Sequence, residues 1–271
     1  MRLLFLLLAP TLALAQPTPR PTYCNPLNLD YGYTPFENFS TAGRHRATAD
    51  PVITLFKGTY YLFSTNQKGY WHSPDLANWQ FIGRTFLKPE NTVLDDLCAP
   101  AVRAVGDTLL VIGSTNKPDF ALWMSTDPLH NKWQKALDPF PLAAWDPDIF
   151  LDDDGKLYLY WGSSNEYPLY GIQLSRKTFR PIGQPVPLFK LNDAQFGWQR
   201  FGEYLDNTFL PPFMEGAWMN KHAGKYYLQY GAPRKAARLV RYWVVGLRRK
   251  RPQRSVAHLH AIGIAAEFGA R

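Results

Sequence analysis

The sequence predicts an all-β fold of the β-propeller type, and three observations carry that expectation. A hairpin pattern occurs four times: ADPVITLFKGTYYLFSTN from Ala49, CAPAVRAVGDTLLVIGSTN from Cys98, WDPDIFLDDDGKLYLYWGSSN from Trp145 and EGAWMNKHAGKYYLQYGAP from Glu215. The turn glycines of these copies, Gly58, Gly106, Gly155 and Gly224, are 48, 49 and 69 residues apart, and steps of about 50 residues with several strands per unit belong to propeller blades. The composition agrees, since 15% aromatic residues with 23 prolines and 19 glycines suit short strands and many turns better than helices.

Taken in order, the chain opens with Met1-Arg2, an apolar run from Leu3 to Leu14 and the small-residue site Ala13-Leu14-Ala15. These features predict a secretory signal peptide over residues 1–15, cut before Gln16, and a secreted or periplasmic protein. The run is too short to span a bilayer, and no later segment is long enough. Residues 16–46 are rich in Pro, Asn, Gly and Tyr without a sustained period and are expected as an extended arm. Cys24 and Cys98, the two cysteines, either pair between arm and second blade or remain buried thiols.

The propeller domain is expected over residues 47–233. In blade one, Pro51 to Leu55 is the inner strand, followed by Tyr60 to Ser64, Gly69 to His72 and Trp79 to Ile82, with Ser73 to Leu76 turning the last pair. Blade two uses Val111 to Ser114 and Ala121 to Ser125, and its STDPLHNKW repeats the turn logic of SPDLANW. Blade three runs from Trp145 through Ile149 to Leu151, Leu157 to Trp161, Gly171 to Leu174, and Phe179 to about Val186. Residues 190–214 break the period, and this insertion, with Phe196, Trp198, Phe201, Tyr204 and Phe209, is expected as a loop over one face. Blade four begins at Glu215, and the blade pattern ends at Pro233. About three and a half blades are therefore expected.

Residues 234–271 differ in kind. Ten of the 30 basic residues and one of the 22 acids lie there, so the net charge of +8 resides wholly in this tail. A shifted reading frame after Pro233 accounts for the abrupt change, and the tail is expected to be disordered. A nucleic-acid-binding arm is the other reading; an exported all-β domain has no use for one, so no nucleic-acid partner is expected.

The inner strands of a propeller run in one direction around the axis, so equivalent residues of each copy converge. Asp50 lies 8 residues before Gly58, Asp146 lies 9 before Gly155, and Glu215 lies 9 before Gly224. Blade two has Cys98-Ala99-Pro100 there and supplies no acid. Three like charges in a partly desolvated funnel repel and raise one another's pKa, a cost that catalysis explains. Glycosidic hydrolysis needs one protonated carboxylic acid for the leaving oxygen and one carboxylate to activate water. A third acid can hold the donor's pKa up. Each Asp-Pro alone reads more often as a strand-start cap than as a catalyst; the three in register favour function. Asp148 rivals Asp146 from the same strand face, and Asp152 to Asp154 read as a solvated turn, not a calcium loop. Trp71, Trp145, Trp161 and Trp218 are the candidate sugar-binding aromatics, and no metal ligand set is evident.

These residues resemble glycoside hydrolase family 43, the five-bladed propeller glycosidases acting on xylans and arabinans. The resemblance rests on ADPVITLFKGTYYLFST, GYWHSPDLANW, WDPDIFLDDDGKLYLYWGSS and EGAWMNKHAGKYYLQYGAP. It implies an inverting mechanism with Asp50 as general base, Asp146 as pKa modulator and Glu215 as general acid, on xylose- or arabinose-containing plant polysaccharides or oligosaccharides. It implies no cofactor for the chemistry, with calcium on the axis of the complete family fold. It also implies a fifth blade, adding an arginine and a histidine to the sugar or calcium site, that has no counterpart in this sequence. An unclosed ring exposes strand edges, so the chain is expected to be unstable or weakly active. A propeller that binds polysaccharide without cutting it, or a decayed gene product, is the alternative.

Overall fold

Two-residue hairpin turns start the architecture. Lys57-Gly58 and Ala223-Gly224 both hold positive φ at each position, 48° and 77° in the first and 48° and 71° in the second, as a type I′ turn requires. They close the ladders Phe56↔Thr59 and His222↔Lys225. In the computed structural model, the described residues are 49–65, 69–83, 97–114, 121–196, 199–200, 209–234, 239–247 and 263–264. The expected signal peptide, the arm with Cys24, and Trp198, Phe201 and Tyr204 lie outside them.

Four antiparallel four-stranded sheets follow in chain order. The first comprises β1 (Val52–Phe56), β2 (Thr59–Phe63), β3 (Gly69–Ser73) and β4 (Gln80–Gly83). The second comprises β5 (Ala101–Val105), β6 (Thr108–Ile112), β7 (Leu122–Asp127) and β8 (Lys132–Leu137). The third comprises β9 (Asp148–Leu151), β10 (Leu157–Trp161), β11 (Leu169–Leu174) and β12 (Pro181–Phe189). The fourth comprises β13 (Glu215–His222), β14 (Lys225–Arg234), β15 (Leu239–Leu247) and β16 (Gly263–Ile264). The first strands neighbour one another in sequence, β1 against β5, β5 against β9 and β9 against β13.

Alternation along the strands explains this stacking, because successive side chains point to opposite faces. In β9, Ile149 packs with Ala101 and Leu110 of the second sheet, while Phe150 packs with Met219 and Leu228 of the fourth. In β6, Leu109 faces Val52 and Phe63 of the first sheet, while Leu110 faces the third. Inner sheets are thus apolar on both faces, and each buried Leu, Ile or Phe contributes about 1.5–3 kcal/mol. The outer turns repeat as well: the Ser73 hydroxyl accepts from Asp75 and Leu76 N–H, and Ser125 from Asp127 N–H.

The fourth sheet departs from expectation. The repeat was expected to end at Pro233, yet the backbone continues into β15, which pairs with β14 at nine positions from Arg234↔Leu239 to Tyr226↔Leu247. Charge hid this strand in the sequence. The run LVRYWVV is rich in β-branched and aromatic residues, which favour a strand, but it stands between the basic clusters that dominate the tail's composition. Among the described residues, the fourth sheet has four strands, as the other three do.

Candidate active site

Each sheet brings one bend to a common opening. Two residues before the first strand of sheets one to three, and at the second residue of β13 in the fourth, the backbone enters the left-handed region at Asp50 (φ 51°), Ala99 (41°), Asp146 (49°) and Gly216 (66°). Glycine takes this region freely, and Asp is among the few other residues found there readily. The preceding carbonyls are tied to the second strands: Ala49 O accepts from Thr65 N–H at 2.9 Å, Cys98 O from Ser114 N–H at 2.7 Å, and Trp145 O from Gly162 N–H at 2.8 Å. These equivalences correct the spacing argument. The fourth-sheet counterpart of Asp50 and Asp146 is Gly216, and Glu215 stands one residue earlier. Counting from the turn glycines missed this because the third hairpin has a longer turn, which puts Asp146 9 residues before Gly155, whereas Asp50 and Gly216 each lie 8 before theirs.

The four bends enclose a cavity of about 340 Å3, lined by Asp50, Ala99, Asp146, Gly216, Trp218 and Gln229 among others. That is the small end of the range for ligand pockets, about 300–1,000 Å3. Of the four tryptophans singled out in the sequence, Trp218 alone lines it. Trp71 is 2% exposed, with Phe81 edge-on to it at 5.2 Å. Trp161 lies in the core between sheets two and three and stacks on Tyr170 at 5.6 Å. Trp145 is half-buried and not among the lining residues. Position in the repeat misled here, because the second and third strands turn their large rings between sheets.

Electrostatics join the three acids. Burial pushes Asp146 up to about 7, and the charges of Glu215 and Asp50 add to the rise against hydrogen bonds from the Ser114 hydroxyl and Gly216 N–H. Glu215 is also raised, by burial first and then by Asp50, with a hydrogen bond from Ser163 opposing. Glu215 thus acts on Asp146, and Asp50 acts on both. The site holds a proton near neutral pH beside the exposed carboxylate of Asp50, a pairing that general acid/base chemistry requires.

The remaining acids are structural. Asp148 is 2% exposed and accepts from Met219 N–H at 2.8 Å, with Arg103 Nη2 at 3.8 Å. It ties the third sheet to the fourth and second and does not line the cavity. Asp152 was expected in a solvated turn, but it is 5% exposed and accepts from Lys221 Nζ and Tyr226 OH, each at 2.5 Å. Burial pushes its pKa up, and the bonds from Lys221, Tyr226 and Asp153 N–H outweigh that and hold it down. Lys221 and Tyr226 lie on the neighbouring sheet, which the sequence does not display. In the insertion, Phe196 packs on Phe189, which packs on Tyr230, so it serves packing, while Phe209 is 95% exposed. Cys98 is half-buried at the second bend. Among the described residues, no group of three His, Cys, Asp or Glu side chains converges as a metal site, and these residues do not fit an axial calcium held by side-chain ligands.

Sequence reading missed Thr65, Ser114, Ser163 and Gln229. The first three had a signal: the copies end in FSTN, GSTN and GSSN, placing a hydroxyl after each second strand. Gln229 had none, because it enters the cavity only by pairing with Trp218 across the β13–β14 ladder.

Comparison with known proteins follows the same geometry. Residues 45–246 match the family model "Glycosyl hydrolases family 43". A xylan 1,3-beta-xylosidase from Vibrio sp is 24% identical over 144 residues, a match covering 45% of this chain and 27% of the relative. The chain thus spans about a quarter of that curated relative's length. An alpha-L-arabinofuranosidase from Clostridium thermocellum superposes with a TM-score of 0.58 at 18% identity, over 85% of this chain and 75% of that one. An endo-arabinase from Bacteroides thetaiotaomicron gives 0.56 at 18% identity, over 73% and 74%. The family match takes in the first strand of every sheet and all four cavity bends, and the chain belongs to glycosyl hydrolases family 43.

Proposed function

We propose that this protein hydrolyses glycosidic bonds in xylose- or arabinose-containing plant polysaccharides or oligosaccharides, with inversion at the anomeric carbon. The observation that carries the reading is that Asp50 and Asp146 line one cavity, with Glu215 next to its lining residue Gly216 and raised by burial and by Asp50, while Asp146 is raised by burial and by the charges of Glu215 and Asp50. In this reading Glu215 donates a proton to the leaving oxygen. Asp50, the exposed member at the mouth, takes a proton from the attacking water. Asp146, whose carboxyl feels the charges of both, helps to orient the pair, and exchange with solvent returns the proton from Asp50 to Glu215 after turnover. The xylosidase and arabinofuranosidase relatives supply the substrate class. Export through residues 1–15 belongs to the same reading, since a polysaccharide substrate lies outside the cell; the mature N-terminus is expected at Gln16.

Release of nitrophenol from the β-xyloside or α-L-arabinofuranoside by the 271-residue chain, lost in Asp146→Asn, tests the reading. NMR of the first-formed anomer checks inversion. Binding of xylan or arabinan without hydrolysis would replace it with a carbohydrate-binding function. Trp218 also yields an expected result. Its half-buried ring is amphipathic and lines the cavity, so Trp218→Ala should raise KM about tenfold with a smaller change in kcat. Steady-state kinetics on xylobiose or arabinobiose measure the split.

A further inference from the structure

The three acids are all held by hydroxyls, and the hydroxyls follow a rule. Each belongs to the segment just after the second strand of one sheet and reaches the bend of the next. In the first sheet, the Thr65 hydroxyl accepts from Ala99 N–H of the second bend at 2.8 Å and donates to Asp50 Oδ2 at 2.6 Å. In the second, the Ser114 hydroxyl accepts from Asp146 N–H of the third bend at 2.9 Å and lies 3.3 Å from Asp146 Oδ1, to which it donates. In the third, Ser163 hydrogen-bonds Glu215 of the fourth. Ser164, next to it, pairs its backbone with Met214, N–H to O at 2.9 Å and O to N–H at 3.1 Å.

A hydroxyl has one proton to give. When its lone pair receives a backbone N–H, the direction of that proton is settled, and for Thr65 and Ser114 it points at a carboxylate. The N–H donor comes from the next sheet in both cases. Each carboxylate orientation is thus locked to the spacing between two sheets, and side-chain rotation of Asp50 and Asp146 is restricted on a bend whose left-handed φ already limits where the side chain can point. We infer that Thr65, Ser114 and Ser163 are positioning residues for Asp50, Asp146 and Glu215, a sheet-to-sheet hydroxyl belt that orders the three carboxyls around the cavity. The inference rests on the hydrolase reading above.

The belt has a functional signature that a purely structural hydroxyl lacks. Misplacement of a reacting group by about 1 Å can cost about 10²-fold in rate, whereas substrate still enters the same cavity. Thr65→Val, similar in shape but without the hydroxyl, is expected to lower kcat ten- to a hundredfold with KM changed less than about threefold, and Thr65→Ser to restore kcat to within about threefold. Ser114→Ala removes a bond that holds Asp146 down, leaving burial, Glu215 and Asp50 to push it up. The Asp146 carboxyl then titrates higher, by about half a unit to one unit.

The experiment compares these variants with Ser125→Ala, which loses a buried hydroxyl bonded to Lys132 O at 2.6 Å between β7 and β8, far from the bends in the chain. Circular dichroism melts verify folding, and Ser125→Ala is expected to keep kcat within twofold of the parent. The Asp146 carboxyl is also followed by 13C NMR titration in Asp-labelled full-length protein, a readout that needs no turnover. Kinetic losses in Thr65→Val rescued by Ser, with an upward Asp146 titration in Ser114→Ala, support the belt. Parent-like kcat in Thr65→Val, losses matched by Ser125→Ala, or an unmoved Asp146 titration in Ser114→Ala overturn it. Absence of any glycoside hydrolysis by the parent chain would instead overturn the hydrolase reading, and full activity in Asp146→Asn and Glu215→Gln would overturn the residue assignment the belt serves.

Discussion

Glu215→Gln is expected to lower turnover of an unactivated xylo- or arabino-oligosaccharide by roughly 10²–10⁴-fold, the range for loss of a general acid. On a nitrophenyl glycoside the same variant should lose much less, because that leaving group departs without needing a proton. Asp50→Asn has no such selectivity. The attacking water needs its base whichever group leaves, so both substrates should slow together. The comparison separates the two roles without relying on the size of either loss. It also tests the correction to the repeat register: Glu215 stands one residue before the position occupied by Asp50 and Asp146, so its carboxyl comes from a different point of the bend. Equal losses on both substrates for Glu215→Gln would assign the proton donor elsewhere, with Asp146, raised to about 7, the next candidate.

The second large effect concerns stability. Asp148 is buried where three sheets meet, and burial pushes its pKa to about 6 against the Met219 N–H bond and the Arg103 charge. A carboxyl whose folded pKa lies above its unfolded value holds a proton that the unfolded chain has released. Its contribution is therefore full below about pH 4 and is lost as pH rises through about 6. Asp146 works in the same direction through about 7. Asp152 runs oppositely: its lowered pKa keeps it ionised and bonded to Lys221 and Tyr226 until well into acid. The protein should thus be more stable near pH 5 than at pH 8. Asp148→Asn keeps an oxygen for Met219 N–H and cannot ionise, so it should shrink that difference in thermal melts. Asp148→Ala leaves the buried N–H without its acceptor, and at pH 5 should cost about 1–3 kcal/mol, or several degrees in Tm. An unchanged pH 5 to pH 8 difference in Asp148→Asn would show that the carboxyl is not the titrating group.

Particular residues show how far the sequence could be read. The hairpins were legible because a two-residue turn such as Lys57-Gly58 needs positive φ twice, and its flanks must alternate to bury one face. Asp50 and Asp146 were legible because the repeat places them alike. Asp152 was misread because local polarity in an Asp-Asp-Asp-Gly turn resembles solvation, and its two donors come from β13 and β14, some 70 residues on. The strand Leu239–Leu247 was misread because charge composition averages over a segment, whereas pairing depends on the apolar run within it.

By itself, then, the sequence determined the period-two strands, the hairpin turns, the order of the sheets and the carboxylates at their entrances, all set by local backbone sterics and by repetition. Only the tertiary structure decided which side chains share the cavity. Trp218 and Gln229 reach it, Trp71 and Trp161 do not, and Thr65 and Ser114 turn their protons toward Asp50 and Asp146. The physical reason is that the cavity and its hydroxyl bonds lie between sheets, and the partners are set by how neighbouring sheets pack, a distance that no single strand encodes.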